Sequence, residues 1–385
     1  MNIGIVCYPT YGGSGVVATE LGKALANKGH QVHFISYREP ARLLETFNTN
    51  IFFHEVSLAD YPLFDYVPYE TALASKLVDV AINAKLDVFH VHYAIPHASA
   101  AYMAKQILLT KNILVPVITT LHGTDITLVG KDPTYEPVVT YSINKSCGVT
   151  AVSESLKKDT LAHFKIEKEI HVIPNFIDFN RFKKTNKDHF KKAIAPNQEK
   201  IIAHTSNFRK VKRVEDVVYI FQLIQKEIPS KLLMIGDGPE RHNAELLCKN
   251  LHLSEHVRFL GKQDAIEELL AISDLFLMPS ESESFGLAAL EAMACEVPVI
   301  SSDAGGIPEM NINGKTGFTL PIGNIEDMAE KSLILLKDEQ LLREFRANAY
   351  QNARLFDIEH IVPMYENLYI EIISKSKSEL SCAIK

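Results

Sequence analysis

No run of apolar residues in this 385-residue chain approaches the ~20 needed to cross a bilayer, so no membrane span is expected. Met1 leads straight into a strand-like segment ending at Cys7, without the basic flank and long apolar core of a secretory leader. Cysteine is scarce: the five residues Cys7, Cys147, Cys248, Cys295 and Cys382 are scattered, odd in number and never paired as Cys-x-x-Cys. That argues against a disulfide framework and suits a reducing cytoplasm, the expected location. A net charge of -7 with no long basic tract gives no reason to expect a nucleic-acid partner. Asp-x-Asp occurs nowhere, so the usual carboxylate pair for a metal-held diphosphate is missing and no metal or other cofactor is expected.

What is present is ordinary globular composition, 46% hydrophobic and 23% charged, in a chain long enough for two domains. Short β-branched runs alternate with helix-period segments, the pattern of α/β doubly wound sheets. The first series of predicted strands is Asn2–Cys7, Gln31–Ser36, Val88–His92, Val115–Leu121 and Gly148–Val152, with a helix from about Gly15 to Lys28 closed by Gly29. The pattern restarts with Lys200–His204, Lys231–Ile235, Val257–Leu260, Leu275–Met278 and Val297–Ser301. This predicts two Rossmann-like domains, residues 1–180 and 190–355, joined through a polar, basic region around Asn175–Asn197. A ligand then belongs in a central cleft facing the carboxyl ends of both sheets. From about Ser374 the Ser/Lys-rich tail is expected to fray.

The sharpest local signal follows the strand Leu275–Met278. Glu283 falls in the loop and Glu291 on an early turn of the next helix, which opens at about Gly286 after Phe285. Two carboxylates there can accept hydrogen bonds from vicinal sugar hydroxyls, one set on a ribose and one on a hexose, while the helix N-terminus offers N–H donors. The bland alternative is an acidic cap favouring the helix dipole, which suffices for Glu281. Gly305 and Gly306, after the next strand, let the backbone approach a ligand closely, and Pro308 suits a helix start. Upstream, the short basic stretch Arg209-Lys-Val-Lys212-Arg213 can meet a diphosphate and stabilise it as a leaving group, although alone it would read as an exposed basic turn. Either Arg209 or Arg213 can assist Lys212. The glycines of Ile235-Gly-Asp-Gly-Pro read as structural.

In the first half, Cys7-Tyr-Pro-Thr-Tyr-Gly-Gly13-Ser14-Gly-Val-Val-Ala18 is a glycine-rich loop feeding a helix. It fits G-x-G-x-x-A, but the strand lies too far from the first motif glycine for the usual tight turn. Ser36-Tyr37-Arg38 also stands where a dinucleotide site needs an acid. His122 ends a strand beside Gly123, Thr124 and Asp125, the setting of a cleft edge rather than a core histidine. His90 and His92 share a strand face, near His97, but no third ligand with clear spacing supports a metal site. Tyr93, just past that strand, reads as cleft lining.

In order and spacing, the Arg209/Lys212 loop, Gly236-Asp-Gly-Pro and Glu283-Ser-Phe-Gly-Leu-Ala-Ala-Leu-Glu291 resemble the retaining glycosyltransferases of family 4, and the resemblance covers nearly the whole chain. It implies the GT-B fold, with the segment Phe356–Ile373 crossing back as a helix onto the first domain. It further implies that Glu291 holds the donor ribose, Glu283 the transferred sugar, and Arg209 with Lys212 the diphosphate. Gly13 would lie against the diphosphate and His122 against the transferred sugar. Many members carry Gly-Arg where Ser206-Asn207 stands here, so Arg209 has to replace that arginine. The segments Ile5-Val-Cys-Tyr-Pro-Thr-Tyr-Gly-Gly-Ser-Gly-Val-Val-Ala and His90-Val-His-Tyr-Ala-Ile-Pro-His narrow the resemblance to a branch using UDP-N-acetylglucosamine (UDP-GlcNAc) as donor and L-malate as acceptor, at the opening of bacillithiol biosynthesis. Ser14, Tyr93, Thr120, Asn144 and Asn175 are the candidate acceptor contacts. The rivals are a family 4 enzyme with another sugar or acceptor, a UDP-GlcNAc 2-epimerase of similar fold, a nicotinamide-dependent dehydrogenase and a non-catalytic sugar-nucleotide sensor. The oligomeric state is left open, a homo-oligomer included.

Overall fold

The computed structural model describes residues 1–10, 12–43, 47–58, 68–185 and 187–383. The chain divides into two compact units, Met1–Asn175 with Ile358–Lys385, and Phe176–Asp357. Tyr11, in the glycine-rich loop, lies outside the described residues.

The first unit is built on a seven-stranded parallel sheet: β1 (Asn2–Val6), β2 (Gln31–Ser36), β3 (Ile51–Glu55), β4 (Val88–His92), β5 (Val117–Leu121), β6 (Gly148–Ala151) and β7 (Ile170–Val172). Their order is β3-β2-β1-β4-β5-β6-β7. Ile3 pairs with both Val32 and Val88, so β1 lies between β2 and β4 and the winding reverses there. Ile3, Ile5, Val32, Phe34, Val88, Phe89 and Val91 are fully buried, because parallel strands covered by helices on both faces have no wet side.

The second unit carries a six-stranded parallel sheet: β8 (Lys200–Ser206), β9 (Ser230–Gly236), β10 (Val257–Gly261), β11 (Leu275–Met278), β12 (Val299–Ser302) and β13 (Gly317–Leu320). Its order, β10-β9-β8-β11-β12-β13, reverses between β8 and β11. In open α/β sheets the place where the winding reverses, at the carboxyl ends of the strands, is where a ligand crevice is expected.

The predicted strands are all present, with ends differing by one or two residues. Three further strands, β3, β7 and β13, were not predicted, and each lies at a sheet edge. The C-terminal helix is longer than expected. It runs Ile358–Ala383, past the predicted end near Ser374, so the expected fraying gives way to continued helix. Its buried stripe Ile361, Val362, Tyr365, Leu368, Tyr369 and Ile372 packs into the first unit, where an added methyl at Gly148 would press on Ile372. The helical hydrogen-bond ladder then propagates into the polar tail at little cost per residue. Among the described residues no helix is long and apolar enough to cross a membrane.

Candidate active site

In the second unit, the loops after β8 and β11 meet across the reversal point. Lys212 Nζ lies 2.5 Å from Glu283 Oε1, both side chains largely shielded, and Ser280 Oγ donates to the same oxygen at 3.2 Å. The Glu281 N–H, donating to Val211 O at 2.8 Å, ties the two loops through the backbone. Glu283 O in turn accepts the Gly306 N–H at 3.0 Å. Gly305 has φ +55, and a Cβ there would sit 1.9 Å from Glu283 O, so the contact between these loops needs glycine twice over. Gly236 is the counterpart on the other side: at φ +122 its absent Cβ would fall 1.8 Å from Ser206 O, which agrees with a structural reading of that turn.

Around this pair, the arginines separate. Arg213 Nε is held by Asp216 Oδ2 at 2.6 Å, whereas Arg209 is exposed and has no ion-pair partner among the described residues. Glu291 lies on the second turn of the helix Leu287–Ala294 and is buried. Gly286, at φ +97, precedes that helix against Met278 and Met310. The Phe285 ring is buried edge-on against Phe356 at 5.5 Å, so only its backbone is left to meet a ligand. Beneath the loops, His204 Nδ1–H donates to Leu277 O at 2.9 Å and Nε2 accepts from Ser206 Oγ at 2.8 Å. Ser206 Oγ accepts the Phe208 N–H at 3.2 Å. Burial lowers the His204 pKa to about 4, so the neutral ring fixes this chain of bonds.

In the first unit, the corresponding crevice joins the loops after β1 and β4. Ser14 Oγ and Tyr93 OH share a hydrogen bond of 2.7 Å, and the Tyr93 and His122 rings lie 5.3 Å apart. Tyr93 sits at φ +87, a strained conformation for a tyrosine, held by its N–H donating to Thr120 O at 2.9 Å. Gly13 is exposed at the first position of the helix Gly13–Asn27. His122 Nε2 meets His92 Nδ1 at 2.8 Å, and His97 Nδ1 donates to His92 O at 2.5 Å. Burial, then neighbouring histidines, depresses these rings: His122 falls to about 3 and His92 well below its usual value. His122 therefore acts near neutral pH as an uncharged hydrogen-bonding group.

Two predicted acceptor contacts are not brought to this cluster. Thr120 is fully buried, its Oγ1 within 2.7 Å of both His90 Nε2 and Thr150 Oγ1, because the side chain points into the sheet's core face. Asn144 spends its amide pinning a distant loop, donating to Lys165 O at 2.9 Å and accepting the Glu167 N–H at 2.8 Å. Asn175 is buried with its Oδ1 unpaired among the described residues. His90, whose other nitrogen meets Tyr369 OH at 2.7 Å, is a core histidine with both ring positions occupied.

Asp125 was passed over as a mere polar neighbour. Its carboxylate accepts N–H donors from Ala94 at 2.9 Å, Gly123 at 3.0 Å and His122 at 3.3 Å, and so locks the loops bearing Tyr93 and His122. Burial raises its pKa to about 6 against those donors. The signal was available: an acid two residues after a positive-φ glycine at a strand end is placed to cap the turn it follows.

Comparison with known proteins agrees with this architecture. Residues 11–181 match the family described as Glycosyltransferase Family 4, and residues 185–354 the one described as Glycosyl transferases group 1. The chain is 48% identical over 380 residues to N-acetyl-alpha-D-glucosaminyl L-malate synthase of Bacillus anthracis, covering 98% of this chain and 99% of that protein. It is 27% identical, over 61% of this chain and 46% of the relative, to the poly(ribitol-phosphate) alpha-N-acetylglucosaminyltransferase of Staphylococcus aureus. Among solved structures, Anabaena HepE in complex with UDP and glucose matches with a TM-score of 0.79 over 99% of each chain at 20% identity. Sucrose-phosphate synthase from Thermosynechococcus elongatus matches with a TM-score of 0.78 over 97% of this chain and 100% of that one, also at 20% identity. The fold is GT-B, as the motifs implied. With two Rossmann-like sheets and a full-length relative at that identity, the chain belongs to the family 4 glycosyltransferases.

Proposed function

We propose that this enzyme transfers N-acetylglucosamine from UDP-GlcNAc to the hydroxyl of L-malate, with retention of the α configuration and release of UDP, opening bacillithiol biosynthesis. The observation that carries the reading is the 48% identity, over essentially the whole of both chains, to a protein named for that product. The reaction runs in the cytoplasm without a metal, the diphosphate being met by Lys212, Arg209 and the backbone N–H groups around Gly305 and Gly306. Glu291 takes the donor ribose and Glu283 the transferred sugar. Because Arg213 is engaged by Asp216, Arg209 is the arginine that assists Lys212.

On the acceptor side, Ser14, Tyr93, His122 and the N–H groups following Gly13 bind the dicarboxylate and the sugar edge, with Asn175 offering an unpaired amide oxygen to a hydroxyl. The malate oxygen attacks the anomeric carbon on the face from which the diphosphate departs, and a phosphate oxygen of the leaving group takes the hydroxyl proton. The protein's share is positioning and stabilisation of the separating charge. Glu283 is tied to Lys212 and Ser280, an arrangement suited to holding hydroxyls rather than to nucleophilic attack.

The test is isolation of the product. Proton NMR of the malate adduct should show the small anomeric coupling of an α-glycoside. A β-glycoside would overturn retention, and free N-acetylmannosamine formed without acceptor would favour the epimerase.

A further inference from the structure

A second polar pocket lies in the Phe176–Asp357 unit, at the end of its sheet away from the Lys212–Glu283 pair. It has a volume of about 340 Å³ and is lined by Lys184, Thr185, Lys187, Lys191, Ala271, Ile272 and Arg346. Every charged side chain in that lining is a cation. Behind the lining, just before β11, lies the buried Asp274, whose Oδ2 accepts the Ile201 N–H at 2.9 Å. Its Oδ1 takes Arg346 Nη2 at 2.7 Å and Lys191 Nζ at 3.5 Å. Ile201 is the second residue of β8, whose far end at Ser206 adjoins the donor loops. Five residues of strand at ~3.3 Å each separate the two places by roughly 17 Å.

Of the acids around the pocket, Glu268 and Asp274 form ion pairs with its lining, Glu296 acts on Lys184 through space, and Glu339, near Arg346, is taken up by Lys200. Lys187 is matched by Glu268 at 3.0 Å. Asp274 is shared between Arg346 and Lys191. Lys184 has no ion-pair partner among the described residues. Although its side chain is exposed overall, desolvation of its ammonium lowers its pKa, and Arg346 and Lys191 lower it further against Asp274 and Glu296, which raise it. Arg346 also keeps a buried Nε–H without a hydrogen-bond partner among the described residues. Cations gathered in a concave site with too few anions create a standing electrostatic cost, which a bound oxyanion relieves. Thr185 adds a neutral hydroxyl, and Ala271 and Ile272 an apolar wall, so the lining mixes charge with shape as ligand pockets do.

We propose that this pocket is a second anion site, which binds a phosphoryl group, either free phosphate or the phosphate end of a larger metabolite, separately from the donor diphosphate. The ammonium groups of Lys184 and Lys191 and the guanidinium of Arg346 hold the oxyanion, with Asp274 behind them fixing Lys191 and Arg346 in place. Occupancy links β8, β11 and the helix Glu339–Ala353, which bears Arg346, at the base of the strands that carry the donor loops.

The experiment is thermal unfolding with UDP saturating the donor site, titrated with low-millimolar phosphate against sodium chloride of equal ionic strength. At ten times the dissociation constant, phosphate should raise the midpoint of the wild-type protein by about 2–4 °C. Lys184→Ala/Lys191→Ala should weaken that response about tenfold or more, while the stabilisation by UDP itself persists. Lys184→Gln, a single change at an exposed side chain, serves as the second variant, read by broadening of the phosphate 31P resonance. Glucose 6-phosphate in place of phosphate separates the two sources: tighter binding marks a phosphorylated metabolite, equal binding free phosphate. No phosphate-specific rise in the wild type, or an equal rise in the variants, overturns the site.

Discussion

The two units solve the same topological problem with different materials. Each is a parallel sheet whose winding reverses once, and each joins the loops at that reversal by a side-chain contact: Ser14 to Tyr93 in the first unit, Lys212 to Glu283 in the second. Behind the contact they diverge. The first unit carries buried, neutral polar groups in two chains, Tyr369–His90–Thr120–Thr150 and His97–His92–His122. The second brings backbone against backbone at Gly236 and Gly305 and places a charge pair over the join. A preformed cation suits a diphosphate whose charge grows as it leaves, whereas a network of neutral donors and acceptors suits the orientation of a hydroxy acid.

Acid should expose this difference most. Burial holds His90 and His122 at about 3, and His33 and His97 at about 4, in the first unit, whereas among the described residues of the second only His204, at about 4, is comparably depressed. An unfolded histidine titrates near 6.5, so as pH falls through 6.5 the unfolded chain binds protons that these folded rings refuse. Each ring then subtracts about 1.4 kcal/mol of stability per pH unit until its folded pKa is reached. Asp125, raised to about 6, binds its proton earlier in the folded state than the unfolded one and offsets about one histidine over the same range. Hydrogen exchange between pH 7 and 5 should show the first unit losing protection before the second. Simultaneous loss would mean that the histidine network is not what distinguishes them.

Next in size is the charge pair. Lys212→Ala should lower kcat by about 10²–10³ with a smaller rise in KM for UDP-GlcNAc, as expected for a cation that matters most in the transition state. An equal loss in donor affinity would reduce Lys212 to a ground-state contact. The smallest effect expected is structural. Tyr369→Phe removes the hydroxyl that meets His90 Nδ1 and should cost about 1–3 kcal/mol in urea unfolding, leaving KM for UDP-GlcNAc unchanged.

How much of this was legible in the sequence follows the same physics. Central strands were readable because burial on both faces makes them continuous apolar runs, such as Leu275–Met278. The edge strand Ile51–Glu55 has only partly buried or exposed residues, so its sequence, Ile-Phe-Phe-His-Glu, carries a weaker pattern. Glu283 stood out by its spacing to Glu291, whereas Lys212 alone reads as part of an exposed basic turn, and the fold brings the two together. Thr120 and Asn144 are engaged away from the Ser14–Tyr93–His122 cluster for different reasons. β5 is buried on both faces, so Thr120 is packed whichever way it points, and Asn144 sits at the end of a helix where its amide bonds the neighbouring backbone. Tyr369 could not have been found by motif, since its partner His90 lies 279 residues away in the chain.

The most direct measurement of the central claim is UDP release from UDP-GlcNAc with and without L-malate, in the presence of EDTA. Release should depend on malate and survive chelation. Release that ignores malate, or that stops when metal is removed, would contradict it.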